Sequence, residues 1–117
     1  MNEEKEKLIS EFLICSDVFT ALGDKTRQHI MLCLLKYKGD CNGLRVGDFV
    51  KLTNISRPAV SRHLQILKKA GIIKVRREST KNYYYVDANE NCMDNIITLA
   101  EHIKSFMKLL PDRHGEE

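Results

Sequence analysis

Nine basic side chains, Lys51, Arg57, Arg62, Lys68, Lys69, Lys74, Arg76, Arg77 and Lys81, fall between positions 51 and 81, with Glu78 as the one acid among them. Nine cations less one anion leave that segment at +8. Residues 1–50 sum to −1, from seven basic and eight acidic side chains, and residues 82–117 sum to −4, from three and seven. The average over the chain, +3, hides this asymmetry. A basic block between neutral and acidic ends suits a surface that meets a polyanion. A solvated helix face would carry the same charges, so the question is what structural device presents them.

The cysteines and histidines are the other residues whose types could do chemistry. Cys15 lies on an apolar stripe and Cys33 inside the run Ile30-Met31-Leu32-Cys33-Leu34-Leu35, so both read as small buried hydrophobes. Cys41 falls in a loop and is expected to be exposed. Cys92 falls near the start of the last helix, where a helix N-terminus favours negative charge. His29, His102 and His114 each stand alone in the sequence, which favours surface or interface roles over metal ligation. The chain has no glycine-rich phosphate loop, no paired carboxylates at a plausible site and no Ser/His/Asp arrangement with context. It is not expected to be an enzyme or to hold a cofactor.

The elements that must position these residues follow from hydrophobic spacing. Leu8, Phe12, Cys15, Phe19 and Leu22 recur at steps of 4, 3, 4 and 3, which predicts a helix ended by Gly23. Asp24 or Thr26 can cap a second helix carrying Ile30, Leu34 and Tyr37. Gly39-Asp40-Cys41-Asn42-Gly43 is a loop by composition. A short helix fits Leu44 to Lys51, and Leu52-Thr53-Asn54-Ile55 reads as a tight turn. Ser56 is then an N-cap and Pro58 lies in the first turn of a further helix, where its missing N–H does no harm. That helix puts Val60, Leu64 and Leu67 on one face and Arg57, Ser61, Arg62, Gln65 and Lys68 largely on the other, and Gly71 stops it. Ile72 to Arg77 and Tyr83 to Val86 are β-prone, with Glu78-Ser79-Thr80-Lys81-Asn82 as the turn of a hairpin. Ile96, Leu99, Ile103, Phe106 and Leu110 mark a last helix, closed by Pro111.

Length and composition agree with one ordinary domain over residues 1–117. At 43% hydrophobic and 30% charged the chain is not a largely disordered one. Its longest apolar run is far short of the ~20 residues that span a bilayer. The polar start, Met1 to Lys7, has no apolar signal core. A cytoplasmic protein with free thiols and no membrane partner is expected.

The order helix, helix, short helix, turn, helix, hairpin, helix is mainly α with a β-hairpin wing. The short helix, turn and polar-faced helix over about 44–69 make a helix-turn-helix, and the basic hairpin over about 72–86 makes it a winged one. Three motifs, in order and at the right spacing, resemble the ArsR-type (ArsR/SmtB-like) winged helix-turn-helix repressors. Ala21-Leu22-Gly23-Asp24-Lys25-Thr26-Arg27 is similar to the family's opening, with Lys25 where proline is usual. Ile55 to Ile73 resembles the recognition-helix block almost residue for residue, and Val75-Arg76-Arg77-Glu78 with Tyr83-Tyr84-Tyr85 resembles the wing.

The resemblance implies a homodimeric regulator, usually a repressor, that binds double-stranded DNA and is released by a small effector. It implies a dimer seam through the terminal helices, here Leu8, Phe12, Cys15, Phe19, Ile96, Leu99, Ile103, Phe106 and Leu110. The major groove presents a distinct pattern for each base pair. Arg57, Ala59, Ser61 and Arg62 are the side chains placed to read it. Ser56 and Pro58 open the helix at the phosphates, and Gln65 continues its outer face. His63 reaches DNA or packs beneath the helix, with packing favoured. Lys68, Lys69, Lys74, Arg76, Arg77 and Lys81 are assigned to phosphates or the minor groove.

The effector is not specified. Where family metal sensors carry paired cysteines in the short helix, this chain has Arg45 and Gly47. At the positions of the family's other metal site it has Asn89, Asn91, His102 and Ser105, of which His102 alone is a good ligand. No retained metal site is expected. Cys33 occupies the second-helix position of a reactive cysteine in some oxidant-sensing members, but their partner position falls at Ser105-Phe106-Met107. Cys33 and Cys92 remain the candidate redox-sensing residues. The alternatives are therefore a thiol- or metal-responsive repressor using cysteines, or a winged helix that docks a protein.

Overall fold

A computed structural model describes residues 2–37, 42–87 and 89–111. Cys41 and His114, read above as an exposed loop thiol and a lone tail histidine, lie outside the described residues. Seven elements follow in the expected order: α1 (Asn2–Leu22), α2 (Lys25–Lys36), α3 (Val46–Thr53), α4 (Arg57–Lys69), β1 (Ile73–Glu78), β2 (Lys81–Val86) and α5 (Asn91–Met107).

Local chemistry sets the boundaries. Asp24 caps α2, its Oδ1 accepting from the Arg27 backbone N–H at 3.0 Å. Asn54 ends α3 in the left-handed region, at φ 58° and ψ 36°, which Asn tolerates better than most residues. Gly71 ends α4 at φ 81°, where a side chain would be strained. α3 begins two residues later than expected. Leu44 is instead drawn into a β-bridge with Tyr84, the two backbones exchanging hydrogen bonds of 2.9 and 2.8 Å. The adjacent Gly43 allows this approach, since a Cβ there would sit 3.0 Å from Tyr83 Cβ and from the Tyr84 carbonyl oxygen.

The hairpin is antiparallel, in register from Ile73 opposite Val86 to Glu78 opposite Lys81. Its turn is thus Ser79-Thr80, tighter than the five residues expected, with Ser79 at φ 58°. α5 ends at Met107, one turn before Pro111.

The core joins α2, α3, α4 and the root of the hairpin. Phe49, Ile30, Leu64, Leu67, Val60 and Ile73 are its largest fully buried apolar side chains beside Leu99, and the Phe49 ring meets Tyr84 edge-on at 6.4 Å. α1 and α5 pack along one another. The radius of gyration is 18.1 Å, with a long axis of 56 Å. A compact domain of 100 residues would have about 13 Å. The terminal helix pair therefore extends the molecule beyond its core.

Candidate nucleic-acid interface

α4 is anchored by Val60, Leu64 and Leu67, all fully buried. Their steps of 4 and 3 fix its rotation, so the opposite face points outward. Ser56, Arg57, Pro58, Arg62, Gln65, Lys68 and Lys69 are exposed, and Ala59 and Ser61 are half-buried beside them. Ser56 Oγ accepts from the Ala59 backbone N–H at 3.4 Å, a long cap. The Arg57 guanidinium lies over Gly47 of α3, where a Cβ would be 3.9 Å from Nη1. The outer face thus carries two arginines near its N-terminus and two lysines at its C-terminal end.

His63 departs from that face. Its Nδ1 lies 3.1 Å from Arg27 Nη1, so packing holds and His63 is withdrawn from the exposed recognition set. Arg27 also donates from Nε to the Ala21 carbonyl at 2.8 Å and from Nη2 to the Thr20 carbonyl at 3.0 Å. One buried guanidinium therefore ties the last turn of α1 to α4. With Arg27 donating, Nδ1 is the acceptor of a neutral imidazole. Burial pushes the His63 pKa down, and Arg27 and Arg62 push the same way against the pull of Asp24. Asp24 is held below the usual carboxylate range, chiefly by the Arg27 backbone N–H. Sequence reasoning missed this role of Arg27, which appeared there only within an opening motif.

The wing carries Arg76, Arg77 and Lys81. Arg76 stacks over Tyr83 at 5.4 Å and Tyr85 at 5.8 Å, and its Nε donates to Glu78 at 3.1 Å. Arg77 Nε donates to the Ser79 carbonyl at 3.1 Å at the turn, and Lys81 is exposed beside it. Lys74 lies 3.8 Å from Asp87 at the root. Of the four, Arg77 and Lys81 stand nearest the tip.

The seam residues divide. Phe12, Phe19 and Leu110 are exposed, whereas Leu8, Ile96, Ile103 and Phe106 are half-buried. Cys15 and Leu99 are each only 1% exposed within the single chain and so face inward, a correction to the seam role that the resemblance implied, although it agrees with the reading of Cys15 as a small buried hydrophobe. The outward apolar residues that sequence reasoning missed are Ile9, Leu13, Ile14, Met93 and Ile97.

His102 Nδ1 meets both oxygens of Glu11, at 2.7 and 2.8 Å, joining α5 to α1. Among the described residues, no group of three or more His, Cys, Asp or Glu is arranged to hold a metal ion. Cys33 sits in the core on α2, where burial pushes its thiol up, partly offset by Lys36. Cys92 lies apart from it in the first turn of α5, packed against Gly71.

A helix-turn-helix with an arginine-bearing second helix and a basic hairpin defines a winged-helix, DNA-binding transcriptional regulator. The family described as bacterial regulatory proteins of the arsR family matches residues 24–75. The uncharacterized HTH-type transcriptional regulator MJ1325 of Methanocaldococcus jannaschii is 39% identical over 71 residues, which is 61% of this chain and 75% of the relative. The transcriptional repressor SdpR of Bacillus subtilis is 44% identical over 69 residues, 59% of this chain and 71% of the relative. An ArsR-like transcriptional regulator from Rhodococcus sp. RHA1 shares the fold at a TM-score of 0.70 and 20% identity, over 86% of this chain and 85% of that one. The chain belongs to the arsR family, whose members are regulators rather than enzymes.

Proposed function

We propose that this protein is a homodimeric transcriptional repressor that binds an inverted-repeat operator. The outward face of α4 is the observation that carries the reading. Arg57 and Arg62 suit bidentate contact with guanine, Ala59 suits a thymine methyl, and Ser61 and Gln65 add polar contacts to base edges. Lys68, Lys69, Arg77 and Lys81 supply phosphate contacts along the flanks. The relative SdpR is named a transcriptional repressor, which supports the direction of control.

Dimerisation is supported by the apolar residues that α1 and α5 leave uncovered. Ile9 is 59% exposed, Leu13 69% and Ile97 56%. Leucines and isoleucines so placed along two adjacent helices are unusual on a monomer and suit a second copy. A two-fold dimer would set two α4 helices against half-sites about 10 bp apart or a multiple of that. The site of action in this reading is the cytoplasm, where a repressor meets its operator.

Selection from a random duplex library tests the reading. Enrichment of an inverted repeat is the expected result. Enrichment of no sequence, or binding that ignores salt concentration, overturns it.

A further inference from the structure

Cys15 and Cys92 come from opposite ends of the sequence and line the same cavity. It measures about 280 Å³ and lies between the middle of α1 and the first turn of α5, floored by Ala70 and Gly71. Cys15 is almost fully buried, and Cys92 is half-buried with its thiol directed at the Gly71 carbonyl at 3.8 Å. Burial chiefly raises the Cys15 pKa, and Glu11 and then Cys92 add to it. Asp17, Asp87 and Asn95 also line the cavity, so its wall is partly polar, and Cys92 is the more accessible of the two thiols.

Two uses of such a pair compete. A soft metal ion would want a third or fourth ligand, and no such group of His, Cys, Asp or Glu exists among the described residues. Thiol oxidation needs only the two sulfurs. We infer that Cys15 and Cys92 form a dithiol that hydroperoxides oxidise to a disulfide, clamping α1 to α5 and weakening operator binding. The last clause rests on the repressor reading above, and the oxidation does not.

The chemistry balances with the peroxide as oxidant. The more accessible Cys92, as thiolate, attacks one peroxide oxygen; the O–O bond breaks, the hydroxide that leaves takes up the proton Cys92 had released and departs as water, and Cys92 becomes a sulfenic acid. The Cys15 sulfur then displaces that oxygen, losing its proton, and a second water leaves. Two thiols and one hydrogen peroxide give one disulfide and two waters. The sulfur pair is oxidised by two electrons and the peroxide is reduced by two. A disulfide holds its Cα atoms at roughly 4.4–6.8 Å with a restricted dihedral. Clamped there, α1 and α5 fix the angle of the exposed apolar stripe, and with it the separation of the two α4 helices in a dimer.

Intact and peptide-mapped mass spectra of the full chain, before and after hydrogen peroxide, test the chemistry. The expected result is loss of two hydrogens, recovery of a Cys15–Cys92 linked peptide, and reversal by dithiothreitol. Cys15→Ser should stop at a sulfenic acid on Cys92 that dimedone traps. Linked peptides that join Cys33 or Cys41 instead, or two thiols that both survive, overturn the inference. DNA affinity is measured on the same samples with the selected duplex. Oxidation should weaken it about tenfold, within the usual range for coupled sites, and Cys92→Ser should abolish that response. A Cys15–Cys92 disulfide that leaves affinity unchanged overturns the clamp. Reduced protein that binds no duplex overturns the repressor reading while leaving the mass-spectrometric result to stand.

Discussion

Arg27 and His63 lie 36 positions apart in sequence and meet at 3.1 Å, Nη1 to Nδ1, beneath the recognition helix. The other two donors of that guanidinium close the carbonyls of Thr20 and Ala21. α1 thereby touches α4 through one planar group, and the orientation of α4 depends on a residue that lies away from its outer face. Arginine suits the position because its fork serves several acceptors at fixed angles.

Arg27→Ala should leave two α1 carbonyls and one imidazole nitrogen without their donor. A loss of about 2–3 kcal/mol of stability is expected. Urea titration checks this, the midpoint falling with an unchanged slope. A midpoint equal to that of the parent would remove the structural role assigned to Arg27.

The pH dependence follows from His63. Its folded pKa lies below the unfolded value of about 6.5. The unfolded chain therefore takes up the proton first. The contribution of His63 is present in full above pH ~6.5 and is lost as pH falls through the lower folded value. Protonation would also set two cations against each other at the Arg27 contact. Thermal melts at pH 7.5 and 5.5 should show a loss of stability on acidification, and His63→Gln should shrink it. An undiminished loss in that variant would assign the effect elsewhere.

Base reading and phosphate contact separate by mutation. Arg57→Ala should weaken the selected operator more than random duplex, by about 1–3 kcal/mol. Arg77→Ala, at the wing, should weaken both about equally and reduce the salt dependence by about one counterion. Titrations at several salt concentrations measure both quantities. If Arg57→Ala left the ratio of the two affinities unchanged, α4 would not be reading bases through that side chain.

The exposed stripe can be broken without touching the core. Leu13 and Ile97 point outward, so the double variant Leu13→Asp with Ile97→Lys should yield a folded monomer with weakened operator binding. Light scattering gives the mass and circular dichroism the fold. A parent protein that is already monomeric would overturn the homodimer reading, and a double variant that stays dimeric would move the seam away from these helices.

The helix-turn-helix was legible because its signals are local. Ser56 and Pro58 mark a helix start, and Val60, Leu64 and Leu67 set its rotation with no help from distant residues. The terminal helices were less legible because α1 is apolar on more than one side. Cys15, Val18 and Ala21 turn inward, whereas Ile9, Leu13 and Ile14 turn outward, and periodicity alone cannot say which set meets the chain's own core. The stripe read from sequence mixed the two. Arg27 was illegible for a different reason: one buried arginine leaves no periodic trace, and its partner His63 is brought to it by tertiary packing. The Cys15–Cys92 cavity likewise arises only when α1 and α5 are laid side by side. The wing turn was read as longer than it is because Ser79-Thr80 lacks the glycine or asparagine that usually marks a two-residue connection.

The Leu44–Tyr84 bridge gives the hairpin a third point of attachment at the third of its six pairs from the core, and among the described residues nothing comparable joins another element to its turn. Each strand is six residues long, a reach of roughly 20 Å. The wing is thus a cantilever, held where it leaves the core and projecting at the end that bears Arg77 and Lys81. In the proposed complex such a beam would follow local differences in groove width by bending, while α4 is held by its core side chains Val60, Leu64 and Leu67. On the binding mode proposed above, tolerance would belong to the DNA flanks and discrimination to the half-site, a division set by where the beam is clamped.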